Sequence, residues 1–182
     1  MFDLLTYDET GRPRLSVTVE NLTPTLAVFT AQNAIFPSSS FASKDMRNFY
    51  PVLDFDASSN ESIYFVGMMP QQYRGTDIEV RLYFTMTSAT SGDVDWSVQF
   101  ERLTSSDQDI DSSSFSDVTT VVNTAVPGTS GQIAITSITV TKGTNIDNTV
   151  SGDMFAVKIT RGATSDTASG DAELLGIELR GT

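Results

Sequence analysis

Carboxylates are the most abundant reactive groups in this chain, and two arrangements of them could do chemistry. Asp107, Asp109 and Asp111 stand at alternate positions, the spacing with which a calcium loop places its first oxygen ligands. The match then stops. Ser112 occupies the place of the turn glycine and Val118 that of the bidentate glutamate, so the segment reads as an acidic, solvated loop and no metal ligand is assigned. Asp54, Asp56, Glu61, Asp93 and Asp95 are of the type that hydrolyses glycosides when two of them flank one bond. Nothing in their spacing selects a pair, and no catalytic residue is assigned. Gly128-Thr129-Ser130-Gly131 follows Pro127 and precedes a strand rather than a helix, so it reads as a turn and not a phosphate cradle.

Composition closes further routes. The 182 residues include 23 acidic and 11 basic side chains, for a net charge of -12, and contain neither cysteine nor histidine. Without cysteine there are no disulfides, thiolate metal sites or thiol nucleophiles. Without histidine there is no Ser-His-Asp triad and no base that titrates near neutral pH. The acidic balance opposes binding to a phosphate backbone, so nucleic acid is not an expected partner. No apolar run approaches the length of a membrane span, and Met1-Phe2-Asp3-Leu4-Leu5 lacks the basic start of a secretion signal. The expectation is a non-enzymatic protein with no cofactor, made in a cytoplasm.

The elements that must position these residues are strands. Ile78, Val80, Leu82 and Phe84 alternate with polar partners, and so do Val94, Trp96, Val98 and Phe100. Phe155, Val157 and Ile159 continue the pattern, as do Leu175, Ile177 and Leu179. Further strand candidates are Leu15–Glu20, Leu26–Thr30, Pro51–Phe55, Ser62–Val66, Val118–Asn123 and Ile133–Thr141. Glycine-containing turns punctuate them, among them Ser91-Gly92-Asp93 and Ser151-Gly152-Asp153. One wet and one buried face per strand predicts an all-β, antiparallel β-sandwich, jelly-roll-like, with about eight strands from Tyr50 onward.

The first 48 residues read differently, as an N-terminal arm or small hairpin unit, and residues 49–182 as the sandwich. Phe2, Leu4, Leu5, Phe29, Ile35, Phe36 and Phe41 load this short stretch with apolar surface, which either packs onto the sandwich or docks on another subunit. Trp96 shares the phase of a buried face and is assigned to the core. Tyr64, Tyr73 and Tyr83 are the better candidates for exposed aromatics, in a ligand patch or an interface.

An ordered set of segments completes the reading. Glu61–Val66 leads to Met69-Pro70-Gln71-Gln72-Tyr73-Arg74-Gly75, followed by Ser91–Trp96, Asp109–Phe115 and Val126–Gly131. Gly152-Asp153-Met154-Phe155 then precedes Val157–Arg161, and Gly170–Leu175 closes the series. This pattern resembles the β-sandwich domain of tailed-bacteriophage virion structural proteins of the capsid decoration, cement or fibre type. The arm has no counterpart in that resemblance, and Gln71-Gln72 stands where more acid is expected.

The resemblance implies a virion protein on the capsid exterior, a self-associated homotrimer whose partner is the major capsid protein, binding neither nucleic acid nor membrane. On that reading Phe2, Leu4, Leu5, Phe29, Ile35 and Phe36 supply an apolar grip, Arg12, Arg14 and Arg47 pair with capsid carboxylates, and Tyr83 lies at a subunit contact. Two alternatives stay open: a tail, neck or head fibre component, and a carbohydrate-binding β-sandwich module.

Overall fold

The structure is a computed structural model that describes residues 5–7, 10, 12–15, 23–104, 109–112, 114–116 and 120–182. Its strands in chain order are β1 (Leu5–Tyr7), β2 (Pro13–Leu15), β3 (Thr25–Thr30), β4 (Ser43–Arg47), β5 (Tyr50–Phe55) and β6 (Glu61–Met68). They continue with β7 (Ile78–Met86), β8 (Asp93–Leu103), β9 (Thr120–Ala125), β10 (Ala134–Val140), β11 (Met154–Arg161) and β12 (Ala172–Gly181). The strand beginning at Leu15 is expected to run to Glu20, but residues 16–20 lie outside the described residues.

Two antiparallel sheets face each other. One runs β10-β7-β12-β5-β4, with β3 also on β12, and the other runs β6-β11-β8-β9. The eight strands from Tyr50 onward pass from sheet to sheet in jelly-roll order, β10-β7-β12-β5 over β6-β11-β8-β9. Alternation makes this possible, because each strand turns every second side chain inward. Trp96, Phe55, Phe65, Phe84, Phe100 and Phe155 are fully buried between the sheets. The Trp96 ring meets Phe55 at 5.2 Å and Phe84 at 5.4 Å, edge to face in both cases, as core packing of large rings favours.

β12 has to accept two neighbours along one edge. Its first residues, Ala172–Leu174, pair with β5, and its later ones, Gly176–Arg180, pair with β3. The changeover falls at Gly176, where a Cβ would stand 2.5 Å from the carbonyl oxygen of Phe29, so only glycine lets β3 approach there. β3 therefore belongs to the sandwich, and Phe29 stacks on Phe65 at 5.3 Å inside it. β4 pairs with β5 from Ser43 to Arg47. A division at residue 48 is thus corrected: strands that a docking arm would have held are members of the larger sheet. Only β1 and β2 form a separate ladder, with Leu5 opposite Leu15 and Thr6 opposite Arg14.

The sheets meet at one end through Arg161, whose side chain is fully buried. Its Nε donates to Asp166 at 2.8 Å, and its Nη1 donates to the carbonyls of Phe55 at 2.9 Å and Gly170 at 3.1 Å. Nη2 adds the carbonyl of Ala168 at 3.4 Å. One planar guanidinium thus links β11, β5 and the β11–β12 loop in a fixed fork. Arg161→Met is expected to lower stability by about 3–5 kcal/mol, because it strands the Asp166 charge and three carbonyls. A urea melt followed by tryptophan fluorescence checks this, and a loss below the error of the melt would show the fork to be dispensable.

Candidate functional site

The most conspicuous surface is the β4–β5 hairpin. Arg47 and Tyr50 close it across a two-residue turn, Asn48-Phe49. Both turn residues have positive φ, 45° at Asn48 and 74° at Phe49, as the twist-matched two-residue hairpin turn requires. Asparagine tolerates that region, but phenylalanine does so at a cost of roughly 1–2 kcal/mol. Packing gives nothing back, since Phe49 is 89% exposed, and its neighbours Tyr50 and Met46 are 64% and 60% exposed. A strained aromatic held out in water is an outlier of the kind found at functional surfaces.

The hairpin is held firmly to the body. Arg47 forms an ion pair with the nearly buried Glu173 on β12 and donates to the Met86 carbonyl at 2.7 Å. At its base lies a cavity of about 380 Å³, lined by Ala31, Gln32, Lys44, Asp45, Met46, Pro51 and Val52. β4 is an edge strand with no strand beyond it among the described residues, and its Met46 N–H is satisfied by the adjacent Asp45 carboxylate at 2.7 Å.

A second surface covers the outer face of the four-stranded sheet. The register sets Tyr64, Lys158 and Gln99 in one row across β6, β11 and β8. Phe115 lies on this row, 5.0 Å from the Tyr64 ring and 5.8 Å from Lys158 Nζ. Gln99 fixes the segment by donating to the Ser116 carbonyl at 2.9 Å. Neutral, polar and cationic groups therefore meet two half-buried rings on an open sheet face.

The remaining expected site residues divide as follows. Phe2 and Leu4 lie outside the described residues, and Leu5 and Arg14 sit in the β1–β2 ladder. Arg12 is exposed. Ile35 is exposed too, but its backbone pairs with Tyr64 and so covers the β6 edge. Phe29 and Phe36 pack against the core and are not available for a grip, and Arg47 places its Nη1 on Glu173 within the chain. Tyr83 is half-buried and donates to Glu178 at 3.1 Å. Tyr73, expected at the surface, is buried and donates to the Thr76 carbonyl at 2.5 Å, because it lies in a folded-back loop where strand alternation says nothing. The hairpin tip was missed because Asn48-Phe49 carries no glycine to mark the turn and Ser43–Arg47 shows no alternation to mark its first strand.

The carboxylates serve structure. Asp109 accepts from the Asp111 N–H at 3.0 Å as a local turn, and among the described residues no three acidic groups gather around a metal-sized space. Asp56 caps Ser58, Glu61 accepts from the Asp56 N–H at 2.8 Å, and Asp95 accepts from Asn123 at 2.8 Å. On the outer face of the larger sheet, burial works against the Glu178 charge. Hydrogen bonds from Arg180, Thr25 and Tyr83 outweigh it and hold the carboxyl below its ordinary range. Asp54 is the opposite case. Burial first, and then the neighbouring charges of Asp171, Glu173, Asp45 and Glu61, raise its pKa from 3.8 to about 6.

No protein-family model matches the chain, and no curated protein matches it in sequence. Among solved structures it is similar to the isomalto-dextranase of Arthrobacter globiformis T6 complexed with panose, at 18% identity and a TM-score of 0.50 over 85% of this chain. The chain spans 23% of that enzyme's length, and the likeness is one of fold. It is also similar to the CBM22-1 xylan-binding domain of Xyn10C from Paenibacillus barcinonensis, at 10% identity and a TM-score of 0.48, covering 89% of this chain and 97% of that one.

The raised Asp54 pKa has a consequence for stability. Between 3.8 and about 6 the folded chain binds the proton more tightly than the unfolded one. The stability this contributes is complete below the lower value and lost as pH rises through the upper one. Asp54→Asn is therefore expected to stabilise the protein near neutral pH by about 1 kcal/mol, discounted because the group is only partly buried. It should also flatten the pH dependence across that window. Thermal melts at a series of pH values decide it, and a variant less stable than the parent at neutral pH would contradict the assignment.

Proposed function

We propose that this chain is a non-enzymatic structural protein of the virion, of the capsid decoration or cement type. As an oligomer it would bind the major capsid lattice by surface complementarity. The observation that carries the reading is the rigid, apolar β4–β5 hairpin, with Phe49 strained and held in solvent. Strain that the fold itself does not use is accounted for if the side chain is covered by a protein partner. The ordered phage-like segments supply the class of partner. The acidic surface suits a protein present in many copies, which has to stay soluble before assembly and has no need of DNA. Affinity would come from repetition, because an oligomer engages several lattice sites at once.

A second reading, saccharide binding, is favoured by the Tyr64–Phe115–Lys158 row on the other sheet. Rings stack on the apolar faces of sugars, and Gln99 and Lys158 could meet hydroxyl or carboxylate groups. Its signature would be glycan-array binding that disappears in Tyr64→Ala; an array without signal for the parent chain rejects it.

Phe49→Gly separates the first reading from a merely structural role. The change creates an Asn-Gly turn, the best sequence for this geometry, and removes the exposed ring. Stability is expected to rise by about 1 kcal/mol, or roughly 2–4 °C in melting temperature for a chain of this size. Co-sedimentation with capsid shells that lack their decoration is expected to fall about tenfold or more. Full binding by this variant would remove the hairpin from the docking surface.

A further inference from the structure

The oligomer proposed above needs a self-contact, and the edge strand of the hairpin supplies a candidate. β4 offers Ser43-Lys44-Asp45-Met46-Arg47 along an open edge. The turn-closing pair Arg47–Tyr50 directs its backbone groups into the hairpin, so alternation turns the N–H and C=O of Lys44 and Met46 outward. An open edge of this kind is a template for another strand. The Asp45 carboxylate on the Met46 N–H fills the place a strand carbonyl would take.

Consider a second copy pairing antiparallel through β4 about a two-fold axis normal to the sheet. Three registers are centred on the strand's middle residues, and charge chooses among them. Centring on Lys44 sets lysine against lysine, and centring on Asp45 sets aspartate against aspartate; like charges directly opposite are destabilising. Centring on Met46 sets Met46 against its counterpart and places Asp45 opposite Arg47 twice, once on each side of the axis. Only this register is self-complementary in charge and apolar at its centre.

We propose that β4 pairs with β4 of a second copy in the register centred on Met46, joining the two larger sheets into one. This rests on the assembly role proposed above and supplies the oligomer's own contact, leaving the hairpin tip to the capsid. Asp45 exchanges its bond to the Met46 N–H for Arg47 of the second copy, while Arg47 keeps a second amino group for Glu173.

The chain has no cysteine, so a single introduced thiol reports the contact without background. Met46→Cys is expected to form a covalent dimer under mild oxidation, since narrow antiparallel pairs fall within disulfide reach. Val28→Cys, equally exposed on β3, is expected to remain single. The unmodified chain should sediment with the mass of two chains. Asp45→Lys, which sets lysine against arginine, should weaken that association about tenfold or more while leaving the circular dichroism unchanged. A single-chain or three-chain mass with no Met46→Cys cross-link overturns the proposal. If single chains nevertheless bind capsid shells, the assembly role survives and only the self-pairing fails. If the cross-linked dimer forms and no capsid is bound, the self-pairing stands and the assembly role fails.

Discussion

A fully buried guanidinium is the constraint on which the rest of this sandwich depends. Arg161 stands at an inward position of β11, where alternation calls for a hydrophobe, and carries its charge into the space between the sheets. A charge there is tolerable only when every direction of its fork meets an acceptor. Asp166 and the carbonyls of Phe55, Ala168 and Gly170 are those acceptors. Supplying them obliges the loop after β11 to fold back over the sandwich end, where the Thr167 N–H reaches the Asp93 carbonyl at 2.9 Å. Close packing follows, since a Cβ at Gly92 would stand 2.7 Å from the Thr167 carbonyl oxygen. The loop in turn sets the start of β12, and with it the strand that β3, β5 and β7 all share.

That dependence explains how an acidic chain without histidine or cysteine uses its carboxylates. They are acceptors in a mostly β structure whose loops and sheet faces would otherwise hold donors without partners. Asp153 receives Arg102 at 2.6 Å and the Val150 N–H at 2.9 Å, and those bonds outweigh the burial that opposes its charge. Glu178 gathers Thr25, Tyr83 and Arg180 on one sheet face. Where the cations run out, the excess shows: Asp54 faces four other acids and keeps its proton to a higher pH than an ordinary aspartate. Such a group is held by burial and by the crowding of like charges.

How much of this was legible in the sequence depended on whether a local pattern was complete. β7, β8 and β11 alternate cleanly between glycine-marked turns, so their existence, their inward faces and the burial of Trp96 could all be read directly. β3 could not be placed, because what holds it is remote. β3 is paired by β12 at the far end of the chain, and it fits only because Gly176 leaves room for the Phe29 backbone. A segment rich in phenylalanine whose partner lies some 150 residues away is indistinguishable, read alone, from one whose partner is another molecule. Arg47 is a similar case, since one chain's sequence cannot show that Glu173 waits for it across the sheet.

The turn at Asn48-Phe49 failed to announce itself for a different reason, and that reason bears on function. Local preference, hydrophobic pattern and global fold agree nearly everywhere in a foldable sequence, and the places where they conflict are where function is to be sought. Here the fold requires two residues at positive φ, and the second is an aromatic where glycine would satisfy both the backbone and the solvent. Elsewhere in the chain the demand is met by glycine at positions 75, 92, 131, 143, 152 and 170, and by the small polar residues Ser40, Asp147 and Asn148. Among the described residues Phe49 alone puts a bulky aromatic in that region, at an exposed tip between Met46 and Tyr50. A side chain kept at the expense of local stability, on a hairpin braced by Arg47 and beside a cavity open to solvent, is one that the packing of the chain itself does not explain.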